Sequence, residues 1–85
     1  MAQTVVTPSE QARRVAAALH RVPSVQDIRW TADQVVEHLW VCIVSWSDDD
    51  YEPVVGAIED ADPHHSVDTW VDTTDRGVPT DAIRI

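Results

Sequence analysis

The longest apolar run in the chain, His38-Leu-Trp-Val-Cys-Ile-Val-Ser-Trp46, is dense in β-branched and aromatic residues and reads as a central β-strand. Leu39, Val41 and Ile43 fall on one face of that strand, and Trp40, Cys42, Val44 and Trp46 on the other. Both faces are apolar, as expected of a strand covered on both sides. A helical reading competes. Thr31-Ala-Asp-Gln34 matches a capping box, and Ala32, Val35, Val36, Leu39 and Ile43 keep a helical period, which would place a helix over residues 32–44. The weaker helix preference of residues 40–46 favours the strand.

Upstream, Thr7-Pro8-Ser9-Glu10 offers an N-cap, a proline at the first helical position and a glutamate at the third. Ala12, Val15, Ala16 and Leu19 then recur at i, i+3, i+4 and i+7, one face of a helix. Pro23 disfavours helical geometry at Val22, so the helix is expected over about 8–21. Val25–Trp30 alternates as a half-exposed strand, with Gln26, Ile28 and Trp30 on one face and Asp27 and Arg29 on the other.

Downstream, Ser47-Asp-Asp-Asp-Tyr51 reads as an acidic hairpin loop, and Pro53-Val-Val-Gly-Ala-Ile58 as the returning strand with Gly56 at a bulge or a close packing point. Residues 66–74 alternate as a further strand, with Val67, Thr69 and Val71 on one face and Asp68, Trp70 and Asp72 on the other. A helix begun at Asp62-Pro63 is the rival there. Asp75-Arg-Gly-Val-Pro79 is turn chemistry, and residues 80–85 form a C-terminal tail or an edge strand. The expected architecture is a single α+β domain over residues 1–85. One N-terminal helix packs on a small antiparallel sheet of three to four strands spanning about 25–74, in the order α-β-β-β-β. Eighty-five residues leave little chain to cover the second face of such a sheet, so a homodimer or a complex is expected to supply that cover.

Charge changes the picture most. The net charge is −9, all six basic residues are arginine, and Asp outnumbers Glu by 11 to 4. Residues 1–30 hold four arginines against two acids, whereas residues 31–85 hold two arginines against 13 acids. This strongly acidic body would repel phosphate, so direct nucleic-acid binding is not expected. Two readings of the acid compete: a surface that attracts a basic protein and speeds its association, or solvation alone, as in adaptation to high salt. Arg13, Arg14 and Arg21 lie on the polar side of the first helix as a solvated face. The start of the chain lacks the basic and apolar stretches of a signal peptide, no segment reaches the ~20 apolar residues of a membrane span, and the single cysteine, Cys42, excludes an internal disulfide. A cytoplasmic protein is the expectation, with Cys42 a buried, inert thiol.

No arrangement of residues favours catalysis. There is no Gly-x-Ser-x-Gly elbow, and two glycines cannot build a phosphate-cradling loop, so no enzyme activity and no cofactor are expected. His64 and His65 with Asp60, Asp62 and Asp68 are the densest set of potential metal ligands, but the paired spacings of structural zinc sites are absent. Asp48, Asp49 and Asp50 lack the spacing of a calcium loop. His20 and His38 read as surface or satisfied core histidines. The tryptophans say more. Trp70, between Asp68 and Asp72, is placed as an anchor for a basic partner, and Trp46 with Tyr51, flanking Asp48–Asp50, makes a second such place. The expected function is therefore a non-enzymatic binding protein whose acidic face engages a basic protein through Asp48, Asp49, Asp50, Tyr51, Asp68, Trp70 and Asp72. Its sharpest form is an inhibitor or regulator of the anti-defence or antitoxin kind that imitates nucleic-acid charge. The alternatives are a halophile's small structural or oligomeric protein and a metal- or ligand-binding domain built on His64 and His65.

Overall fold

The computed structural model describes residues 7–85. Chain order is α1 (Glu10–His20), β1 (Val25–Ala32), β2 (Glu37–Ile43), α2 (Asp48–Ala61), β3 (Val67–Asp72) and β4 (Ile83–Arg84). The strands make one sheet in the order β3-β2-β1-β4. β1 is antiparallel to both β2 and β4, and β2 runs parallel to β3. The α+β class and the N-terminal helix packed on the sheet are as the sequence predicts. The sheet is mixed rather than wholly antiparallel, and a second helix stands where an acidic loop and a returning strand were expected. The N-terminal residues used to argue against a signal peptide, 1–6, lie outside the described residues. Among the described residues no helix is long and apolar enough to cross a membrane.

The two strand faces of β2 have different fates. Leu39, Val41 and Ile43 are buried and join Ile28 and Trp30 of β1, Ala12, Val15, Ala16 and Leu19 of α1, Val54 of α2 and Val67 of β3 in one core. Both helices thus lie on one side of the sheet, and α2 packs chiefly against α1. Val44 and Trp46 lie beyond the end of β2 and are exposed. The rival helix over 32–44 does not form. Asp33 closes the β1–β2 turn instead, its carboxylate accepting from the backbone N–H of Val35 and Val36 at 2.8 and 2.9 Å. A bulge between Val25 and Asp27 takes Gln26 out of the alternation, so it does not share the face of Ile28 and Trp30.

The sequence carries the reason for α2 in a stripe hidden by its polar start. Val54, Ala57, Ile58 and Ala61 recur at i, i+3, i+4 and i+7, and all four pack into or against the core. Ser47 is the N-cap residue, and Asp48, Asp49 and Asp50 fill the first turn, where carboxylates complement the positive end of the helix dipole. Pro53 lies inside the helix and removes one backbone donor, but it does not stop the helix. The helix and the parallel pairing are one fact: a hairpin joins antiparallel strands, and a parallel neighbour needs a long crossover. Gly56 therefore marks no bulge, and an added Cβ would meet nothing within 4 Å.

α1 begins two residues later than expected. Its N-cap is Ser9, whose hydroxyl accepts from the Ala12 N–H at 3.1 Å. In a capping box a glutamate of the same helix would accept the N-cap backbone N–H. Here Glu37, at the start of β2, does so: its carboxylate takes the Ser9 N–H at 2.9 Å and the Trp30 indole N–H at 2.7 Å. One side chain thus ties the helix start to the two central strands. Burial alone would raise the Glu37 pKa, but the bonds from Ser9 and Trp30 outweigh it and hold the carboxyl below its ordinary 4.5.

Two outcomes follow from these local arrangements. Gly56→Ala should raise unfolding stability by about 0.5–1 kcal/mol, because alanine fits the site and restricts the unfolded chain. A loss of stability in denaturant unfolding would show that the helix is not formed there. Glu37→Ala should cost about 1–3 kcal/mol at neutral pH, since two donors lose their acceptor. The lowered folded pKa means that the ionised carboxylate stabilises the fold above its ordinary value of 4.5 and ceases to do so as pH falls through the folded value. The stability gap between wild type and variant should therefore narrow in acid, and a gap constant from neutral pH to pH well below 4.5 would refute the clasp.

Candidate functional site

The sheet face turned away from the helices carries the residues of most chemical interest. Period-two alternation puts Asp27, Arg29 and Thr31 of β1, His38, Trp40 and Cys42 of β2, and Asp68, Trp70 and Asp72 of β3 on that face. Trp40 and Trp70 are register partners across the parallel pair. Their rings stack with centroids 5.6 Å apart and planes 12° from parallel. Trp40 is anchored from below by its indole N–H donating to the Thr31 hydroxyl at 2.8 Å. Trp70 keeps 51% of its surface exposed, with Asp68 and Asp72 on either side along the strand. A cavity of about 150 Å³ opens beside the stack, lined by Trp40, Trp70, Asp72, Thr74, Gly77 and Val78 among others.

His38 supports the pair. Its Nδ1 lies 3.3 Å from the Trp70 indole nitrogen and 3.3 Å from an Asp68 oxygen, and its Nε2 lies 3.1 Å from Asp33. An indole N–H only donates, so Trp70 bonds to Nδ1 in the tautomer whose hydrogen is on Nε2, facing Asp33, whereas a hydrogen on Nδ1 faces Asp68 instead. Asp33, fed first by the Val35 and Val36 amides and then by His38, has its pKa lowered to about 2. A chain of polar contacts thus runs from the β1–β2 turn through His38 to the exposed tryptophan.

Charge divides this face. On the β1 side, Asp27 shares its carboxylate between Arg29 at 2.8 Å and Arg84 at 3.5 Å. On the β3 side, among the described residues, Asp68 and Asp72 meet no arginine. Cys42 lies between the halves, half-buried rather than fully buried. Its thiol pKa is pushed up, first by desolvation and then by the carboxylates of Asp27, Asp75 and Asp72, so it is a poor nucleophile.

The other expected site residues are placed differently. Asp48, Asp49 and Asp50 form the first turn of α2, not a loop. Asp50 is partly engaged, accepting from the Ser45 and Ser47 hydroxyls at 2.6 and 3.1 Å. Trp46 and Tyr51 do meet, with ring centroids 5.5 Å apart. Tyr51 also shares a groove with Asp68, between α2 and β3. The acids grouped with His64 and His65 do not converge: among the described residues, no set of three His, Cys, Asp or Glu side chains is placed to hold a metal ion. Asp62 is buried and committed to structure. Its carboxylate accepts from the Ser66 N–H and hydroxyl at 3.0 and 2.6 Å, the Val67 N–H at 2.9 Å and the Gln11 amide at 3.1 Å. Gln11 also donates to the Ala61 carbonyl at the end of α2, at 2.8 Å. Desolvation would raise the Asp62 pKa, but these donors, Ser66 foremost, pull it down.

No family model matches the chain, and no curated protein or solved structure matches it.

Sequence reasoning placed Asp68, Trp70 and Asp72 correctly on one strand face but did not find Trp40 or His38 as their neighbours. The stack depends on β2 and β3 being parallel and in register, and no local pattern in either strand encodes that. The role of Asp62 has a testable consequence. Asp62→Ala should lower stability by about 2–4 kcal/mol in denaturant unfolding, because it strands buried backbone donors at the entry to β3. A loss within 0.5 kcal/mol, the range of an ordinary surface change, would refute that role.

Proposed function

We propose that the chain is a non-enzymatic binding protein that engages a basic surface of another protein through the β3 half of its open sheet face. The observation that carries this reading is Trp70: a tryptophan half exposed on the sheet face turned away from the helices, stacked on Trp40 and flanked by Asp68 and Asp72 without a matching arginine among the described residues. A large indole held rigid by a second ring offers binding area at little entropic cost. An arginine from the partner can lie over the free side of the Trp70 ring while a carboxylate accepts its N–H groups. The overall charge of −9 steers such a partner toward the face. Imitation of nucleic-acid charge at a basic binding site is the particular form this favours. Asp48–Asp50 have a structural task at the start of α2, so their reversal would test the helix as well as binding. Asp68 and Asp72 are the cleaner positions.

The test is a titration with nona-arginine followed by tryptophan fluorescence. Binding should weaken with salt, and Trp70→Ala and the double variant Asp68→Lys/Asp72→Lys should each weaken it by roughly tenfold or more. Glu10→Lys/Asp81→Lys, the same charge change elsewhere, should leave it within about twofold. If both double variants weaken binding equally, the acid acts as bulk charge and the local site is wrong.

A further inference from the structure

We infer that the partner docks as an extended basic segment that adds a strand to the outer edge of β3. This rests on the acidic-binder reading above and specifies how the partner is held. β3 is the last strand of the sheet and pairs only with β2 among the described residues, so its outer edge presents backbone groups free to pair. On the helix side of this edge, a groove of about 270 Å³ runs between α2 and β3, lined by Val55, Ile58 and Val71 together with Tyr51, Glu59 and Asp68. The hydroxyl of Thr69, between Asp68 and Trp70 on β3, is buried and has no hydrogen-bond partner among the described residues. On the opposite side of the same edge stand Trp70 and Asp72, with Asp68 at the boundary between that side and the groove.

An added strand alternates its side chains between these two environments. Residues on the open side fall beside Asp68, Trp70 and Asp72, which calls for basic groups at every second position. Residues between them fall against the groove, which calls for aliphatic side chains or threonine. The main-chain bonds hold the segment, and the alternating side chains select it. A second copy of the chain is a poor occupant. Antiparallel pairing of two β3 strands centred on Trp70 sets each Asp68 opposite the other chain's Asp72, and any such pairing joins two chains of charge −9.

The experiment uses the peptide acetyl-Arg-Val-Arg-Val-Arg-Val-Arg-amide and an isomer with its arginines and valines in two blocks. Two further versions of the alternating peptide are N-methylated at every second residue, one in each phase, so that one loses the donors facing β3 and the other those facing away. The alternating peptide should bind roughly tenfold or more tightly than the block isomer, and it should slow hydrogen exchange at amides of β3. One methylated phase should lose that binding and the other retain it. If both phases bind like the parent, or if β3 exchange is unchanged on saturation, strand addition is overturned while the basic-partner reading stands. If none of the peptides binds, both are overturned.

Discussion

A single layer of helices can cover only one face of a sheet, and that constraint shapes the whole molecule. Leu39, Val41 and Ile43 are buried because α1 and α2 both lie on their side. Among the described residues there is no further helix to lay on the other side. Trp40 and Trp70 meet each other on that side, and stacking takes part of each ring out of water. The exposed half of Trp70 is a direct consequence of how the two helices were placed.

The acidity of the chain is not one property. Glu37 holds the start of α1 to β1 and β2, Asp62 holds the entry to β3, Asp33 shapes the β1–β2 turn, and Asp48–Asp50 sit at the positive end of α2. In each case a carboxylate meets backbone donors or a helix dipole that would otherwise be unsatisfied. Asp72 accepts only the exposed N–H of its neighbour Thr73, at 2.6 Å, and Asp68 meets His38 rather than a backbone donor, so neither ties separate elements together as the structural acids do.

Much of this was legible in the chain itself. The burial of α1 follows from Ala12, Val15, Ala16 and Leu19, and the faces of β2 and β3 follow from simple alternation. The second helix was also written there, in Val54, Ala57, Ile58 and Ala61, but Pro53, Gly56 and the β-branched Val54-Val55 pair pointed locally to a strand. Burial against α1 outweighed those preferences, as tertiary packing commonly does. The capping box at Thr7 failed for a related reason. The acceptor that completes the cap comes from Glu37, 28 residues away, and no window of local sequence contains both partners.

The sequence by itself determined which residues share a face, because side-chain direction follows from the period of each element. It placed Trp70 between two aspartates and left the far side of the central strand short of cover. Tertiary structure alone decided that β3 lies parallel to β2, that Trp40 meets Trp70, and that β3 forms an open edge. Pairing partner, direction and register are set by the crossover through α2 and by the core that anchors it, and these are non-local interactions that no single segment encodes.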